Sequence, residues 1–339
     1  MRRESTSTGE PAFPTATLAV GSSSLRWSDS EPGTPSGGGD RPLLLINGIG
    51  ANLEMWNPLR RALTRRTIAY DALGTGESGT PAHIVDMASM ATVASRVLDA
   101  AGVSEADVLG YSFGGFVAQE LALADGRVER LVLGATSAGW STSLTDLREL
   151  GGRSAVHVPL ALGIMLTPSR YYLRPAGQRL IRRVFGDGGS GDYSTADRAR
   201  AQRPPSSVGY WYQLVAASRW SSRSWLDQLT MPALVLSGER DTICTVAGGK
   251  YLASHLPRGR QVVVPGVGLT VRLAVVLAVI CRLFGSINQL PACPAAALAS
   301  GVLDMSRNRI PEVSMNPPSP PSRPPLAWMS PYTRVASVE

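Results

Sequence analysis

Seven residues, "LGYSFGG" at 109–115, carry the clearest chemistry in the chain. Gly110-x-Ser112-x-Gly114 has the spacing of a nucleophile elbow, with a strand-like run before it and a helical run after it. Such a turn needs small residues on either side of the serine, so that neighbouring backbones can pass close. It lifts the Ser112 hydroxyl out of the sheet edge and aims the free amides of the next helix at the place where negative charge forms. The chemistry predicted is acyl transfer to an oxygen nucleophile.

A second piece, "NGIGAN" at 47–52, follows an apolar run directly. Its glycines free the backbone to point an amide at the elbow. The predicted oxyanion hole is therefore the backbone N–H of Ile49 with that of Phe113. In "YDALGTGESG" at 70–79, Asp71 ends a strand that precedes the nucleophile, so it is expected to shape a loop rather than react. The acid is better placed at Asp241 in "SGERDTIC", after the nucleophile in chain order, with Glu239 in reserve. A role for either as cap of the helix after 242 is the plainer alternative.

These pieces need a scaffold, and the pattern of apolar residues describes one. "ATLAV" and "SLRWS" read as an N-terminal hairpin within residues 1–40. "LLLIN", "TIAYD", "ADVLGYS", "VERLVLGAT", "PALVLSG" and "QVVVPG" are apolar runs of strand length, the mark of strands buried on both faces. Helical patterns over 57–66, 85–103, "GGFVAQELALA" and "TVAGGKYLASHL" alternate with them. The fold class predicted is α/β, a mostly parallel sheet with helices on both faces. The core falls at 41–136 and 229–266. Residues 137–228 break the alternation with helix-prone, turn-rich sequence and read as an inserted helical lid. Four of the seven tryptophans lie there, Trp140, Trp211, Trp220 and Trp225, and are expected to pack a small core of the lid or to line an acyl pocket beneath it.

Together "PLLLINGIGANLEMW", "IAYDALGTGESGTP", "GYSFGGFVAQELAL" and "RVERLVLGAT" resemble the α/β-hydrolase superfamily, and within it the intracellular poly(3-hydroxyalkanoate) depolymerase branch. The resemblance covers about residues 15–265. It implies ester hydrolysis through an acyl-enzyme with no metal or cofactor, acting on hydroxyalkanoate or other lipophilic acyl esters. Ser112 would be the nucleophile, Asp241 the orienting acid, Ile49 and Phe113 the oxyanion donors.

One member is missing. In such proteins the base histidine follows the last strand as G-x-G-H, but here "QVVVPGVG" runs into Leu269. The three histidines are His83, His157 and His255, none of them in that place. Without a base the serine hydroxyl is a poor nucleophile; loss of the histidine removes about 10⁶ of rate in a protease precedent, roughly 8–9 kcal/mol. Two readings account for the absence. One is genuine loss, leaving a non-catalytic acyl-binding or scaffold protein. The other is a displaced reading frame at about 267–269. It also covers the abrupt change at 267–339, where "LTVRLAVVLAVICRLF" is apolar nearly all round and "MNPPSPPSRPPLAWMSP" is proline-dense.

Composition sets outer bounds. The formal net charge is +7, and Lys250 is the one lysine. The arginines are scattered rather than gathered in a stripe, so nucleic acid is not an expected partner. Three cysteines without a C-x-x-C suggest neither a disulfide framework nor a zinc site. The start has arginines but no apolar h-region, and the most apolar window, 269–284, is shorter than the ~20 residues of a membrane span. A cytoplasmic protein acting on a small or oligomeric ester is the expectation.

Overall fold

A computed structural model of the chain describes residues 13–31, 41–139, 199–200, 202–241 and 243–265. Most of the predicted lid lies outside the described residues, with Trp140 and His157. So does the C-terminal segment 267–339.

Eight strands form one sheet: β1 (Thr15–Val20), β2 (Ser23–Asp29), β3 (Leu43–Ile46), β4 (Thr67–Tyr70), β5 (Ala106–Tyr111), β6 (Val128–Gly134), β7 (Ala233–Gly238) and β8 (Gly259–Val264). Their spatial order is β1-β2-β4-β3-β5-β6-β7-β8. The hairpin β1–β2 pairs antiparallel with itself and with β4; every other pairing is parallel. The helices are α1 (Asn57–Ala62), α2 (Met87–Ala100), α3 (Phe113–Ala124), α4 (Ser207–Arg219) and α5 (Val246–His255). This is the α/β architecture that the alternating pattern predicts.

The reason is legible strand by strand. All four residues of β3 and of β4 are buried, as runs covered on both faces must be. Alternate side chains serve opposite faces. Leu44, Ile46, Ile68, Tyr70 and Val108 pack with Val97 of α2 and Val117 of α3, whereas Leu43, Leu45, Ala69 and Leu109 pack with Trp56 and Leu59. Helix starts carry side-chain caps: Asp86 accepts from the Ser89 amide, Ser206 from Gly209 and Thr245 from Gly248. Helix α2 stops where Gly102 takes φ 63° just past its end.

Helix α1 is shorter than the predicted 57–66, and the arginines explain it. Leu63 is extended, and Arg65 and Arg66 turn inward. Arg66 pairs with Asp29 of β2 at 2.6 Å and Arg65 with Asp107 of β5 at 2.8 Å, all four side chains buried. Arg60 donates to Ser28 and Thr67 at 3.0 Å each, and burial lowers its pKa to about 10. Arginines that look like scattered surface charge in the sequence are fasteners between the strands here.

The tryptophans also depart from expectation. Trp220 is buried in the main core, stacked on Phe116 of α3 at 4.6 Å, with its Nε1 donating to Glu120 at 2.6 Å; Trp225 meets it edge-on. Trp211 is exposed. The segment after α4 is thus clamped to α3, rather than forming a core of its own.

Candidate active site

Ser112 joins β5 to α3 with φ 53° and ψ −117°; among the described non-glycine residues only Ala135 shares a positive φ. That backbone state costs about 1–3 kcal/mol and persists only when its surroundings hold it. Here they do. The Ser112 amide donates to the Gly134 carbonyl at 2.8 Å, and the Ser112 carbonyl accepts from the Gly115 amide at 2.9 Å and from Thr136 Oγ1 at 2.8 Å. The flanking glycines are required by close approach: a Cβ on Gly114 would lie 2.6 Å from the Asn47 carbonyl oxygen, and one on Gly110 would lie 2.6 Å from Ala118 Cβ. The Ser112 side chain is half-buried, and its hydroxyl makes no hydrogen bond among the described residues.

The 47–52 turn lies against this elbow. A Cβ on Gly48 would meet Tyr111 Cδ1 at 3.2 Å and Ser112 Cβ at 3.6 Å. The turn's own amides divide into used and unused. Gly50 donates to Gln213 Oε1 at 2.9 Å and Ala51 to the Gly48 carbonyl at 3.1 Å. Neither the Ile49 amide nor the Phe113 amide meets an acceptor among the described residues. Phe113 opens the twelve-residue α3, so its amide sits at the positive end of a helix dipole. Asn47 anchors the turn from below, donating to the Tyr70 carbonyl at 2.8 Å and accepting from Trp56 Nε1.

Asp241 lies past the end of β7, two strands along from β5, at the same edge of the sheet as Ser112. Its Oδ1 accepts from the Ile243 and Cys244 amides at 2.9 and 2.8 Å. Its Oδ2 is buried and has no hydrogen-bond partner among the described residues. Burial pushes the carboxyl up to about 7, against the pull of those two amides. The cap of α5 is Thr245, so the capping alternative does not describe Asp241. Glu239 is exposed. Asp71 is fully buried and spent on structure: it accepts from the Leu53 and Glu77 amides at 2.7 and 2.9 Å and from Arg26 at 3.2 Å.

The two described histidines stand apart from these groups. His255 ends α5 beside the start of β8, its Nδ1 2.8 Å from the Tyr251 carbonyl oxygen and its ring stacked on Tyr251. Parallel strands of six residues place it ~20 Å along the sheet from the edge that carries Ser112. His83 is exposed in the loop before α2. Among the described residues no group of His, Cys, Asp and Glu could hold a metal ion, and no helix is long and apolar enough to cross a membrane.

Thr136 and Gln213 were not legible as site residues. Each makes one hydrogen bond to the site from another stretch of chain, and neither belongs to a motif.

Residues 41–268 match the model of the alpha/beta hydrolase fold family. The chain belongs to that family. As an alpha/beta hydrolase it is 34% identical, over 226 residues, to a poly(3-hydroxyalkanoate) depolymerase of Ectopseudomonas oleovorans, covering 65% of this chain and 75% of that one. It is 30% identical to a pimeloyl-[acyl-carrier protein] methyl ester esterase of Neisseria meningitidis, over 66% of this chain and 84% of that one. A hydrolase structure from Pseudomonas aeruginosa superposes with TM-score 0.56 at 25% identity, over 81% of this chain and all of that one. The depolymerase likeness read from the motifs therefore holds over 65% of the chain. The family match ends at residue 268, one position before Leu269.

Proposed function

We propose that this alpha/beta hydrolase is built to cleave carboxylic esters of lipophilic acids, with Ser112 as the acyl acceptor. The observation that carries the reading is the left-handed backbone of Ser112, which presents an unbonded hydroxyl beside two unaccepted amides. Attack of Oγ on an ester carbonyl would place the oxyanion before Ile49 and Phe113. The alcohol would leave, and water would release the acid from the acyl-serine. Esters figure in the names of relatives such as the methyl ester esterase, and a polyester in that of the depolymerase. No cofactor or metal is needed for these steps.

The proton is the weak point. Asp241 offers a buried oxygen, unbonded among the described residues, at the same edge of the sheet as Ser112, which is what an imidazole N–H would use. No histidine follows β8 to supply one. Serine and oxyanion hole alone sustain about 10³–10⁴ over water, so this chain is expected to turn over slowly and to behave largely as an acyl-binding protein.

The test is p-nitrophenyl ester turnover with fluorophosphonate labelling, on this chain and on Ser112→Ala, with and without added imidazole. Slow turnover that depends on Ser112 and rises with imidazole supports the reading. Equal rates for the two proteins at every imidazole concentration refute it and favour a purely non-catalytic binder. Reading the coding DNA in all frames past residue 266 addresses the displaced frame separately: a histidine followed by an amphipathic helix in another frame would account for the family match ending at 268.

A further inference from the structure

The turn that carries the Ile49 amide is held from outside by a different part of the chain. Ala51 donates to the Gly48 carbonyl at 3.1 Å, which makes 48–51 a β-turn with Ile49 and Gly50 at its centre. Gly50 takes φ 62° and Ile49 does not take a positive φ, the pattern of a type II turn. That form and the commoner type I differ by a flip of the central peptide, and type I gives its third residue a negative φ. The central peptide here is the one between Ile49 and Gly50. Both of its polar ends are taken. Arg200 Nη2 donates to the Ile49 carbonyl at 2.5 Å, and the Gly50 amide donates to Gln213 Oε1 at 2.9 Å.

The two partners come from one stretch, 199–213, and lie 151 and 163 positions from the residues they bond. Gln213 is buried on α4, and Arg200 is half-buried just before that helix. The same stretch grips the turn elsewhere. Asn52 Nδ2 donates to the Ala199 and Arg203 carbonyls at 2.7 and 3.1 Å. A Cβ on Gly50 would lie 2.6 Å from the Tyr210 ring, so the ring rests directly on the turn. The stretch is also anchored to the 70–79 loop. Ser206 donates to the Gly74 carbonyl at 2.9 Å, and a Cβ on Gly209 would lie 2.5 Å from Gly74 Cα.

We infer that Arg200 and Gln213 are positioning residues of the oxyanion hole: together they hold the Ile49–Gly50 peptide in the orientation that leaves the Ile49 amide free beside Ser112. The inference rests on Ser112 as the acyl acceptor, because that makes the Ile49 amide a donor to the oxyanion. The two side chains act through the peptide next to that amide. The physical reason is preorganisation. A donor lowers the barrier when it already points at the place where charge forms. With one end of the clamp removed, the Ile49 carbonyl or the Gly50 amide loses its partner, and the flipped form of the turn gains ground. The neighbouring Ile49 amide is then in place for only part of the time. The loss is therefore a fraction of the ~10²–10³ that deleting an oxyanion donor outright costs.

The experiment is fluorophosphonate labelling of Ser112 in the full chain, with imidazole added throughout so that the proton is taken alike in every protein. Labelling rate against probe concentration separates the half-saturating concentration, which reads the approach of the probe, from the limiting rate, which reads the charged state. Arg200→Met and Gln213→Met each strip one end of the clamp at similar side-chain length. Each should lower the limiting rate about tenfold and leave the half-saturating concentration unchanged. Arg200→Lys keeps a donor and Gln213→Glu keeps an acceptor, and both should recover most of the rate. Arg200→Met, at the half-buried position, carries the test should Gln213→Met fail to fold. An unchanged limiting rate in either folded methionine variant, a change confined to the half-saturating concentration, or lysine and glutamate variants as slow as the methionine ones overturns the inference. A parent chain that does not label at Ser112 overturns the catalytic reading itself, and the inference with it.

Discussion

Thr136 Oγ1 donates to the carbonyl oxygen of Ser112 at 2.8 Å, from the loop that follows the neighbouring strand β6. The bond ties the one strained residue of the elbow to an element other than those it joins. The Thr136 side chain is also closely set against Gly115, so it fixes the elbow by contact as well as by hydrogen bonding. Thr136→Val keeps the shape and loses the bond. The Ser112 carbonyl retains the Gly115 amide, so the expected loss is about 1 kcal/mol, read by urea denaturation. Labelling of Ser112 by a fluorophosphonate should fall more than stability does; unchanged labelling would show that the elbow holds its form without Thr136.

Gly114→Ala tests the close approach. The added methyl would meet the Asn47 carbonyl at 2.6 Å, backbone against backbone, with no flexible side chain to yield. The expected destabilisation is about 3 kcal/mol. A thermal melt within a degree or two of the parent would mean that the 47–52 turn moves freely, which would remove the ground for placing the Ile49 amide.

Asp241 makes stability depend on pH in a stated direction. Its carboxyl titrates near 7 in the folded chain, and at about 4 when unfolded. The folded state therefore holds the proton more tightly. The group's contribution is complete below about pH 4 and is lost as pH rises through about 7. Asp241→Asn keeps an oxygen for the Ile243 and Cys244 amides and removes the buried charge. It should stabilise the protein by about 1–3 kcal/mol at pH 8 and change little at pH 4, measured by urea denaturation at both. Destabilisation at pH 8 would show that Oδ2 has a partner it needs.

Glu54 joins two arginines from separate stretches, accepting from Arg26 at 2.6 Å and from Arg203 at 2.8 Å. Arg203 also reaches Glu77. The network fastens the start of the α4 segment to the core. Glu54→Gln should cost about 1 kcal/mol, and the difference from the parent should shrink in high salt. Hydrogen exchange should quicken at the α4 amides and stay unchanged in β3 and β5.

The sheet and the elbow were legible because both depend on local pattern. Continuous apolar runs such as Leu43–Ile46 can exist only between two covered faces, and Gly110-x-Ser112-x-Gly114 states its own steric demand. The ends of elements read less well: α1 stops at Ala62 because Arg65 and Arg66 find buried carboxylates on β5 and β2, partners 42 and 37 residues away. The same holds in the site. Ile49 and Phe113 could be named from their places beside glycines, but Gln213 reaches Gly50 across 163 positions, and no spacing rule spans that. Trp220 misled in the other direction, since helix-prone surroundings suggest a separate layer and give no sign of the stacking on Phe116.

The unbonded oxygen of Asp241 has a consequence for how the chain's history can be read. Gly110, Gly114 and Thr136 all repay their keep in folding, so evolutionary drift under selection for stability alone would preserve the serine motif long after catalysis had ended. Asp241 is the opposite case: a lone acid sealed in the interior weakens the fold at neutral pH, and drift would discard it first. Its survival or replacement in sister lineages is therefore a sharper record of enzymatic ancestry than the serine itself.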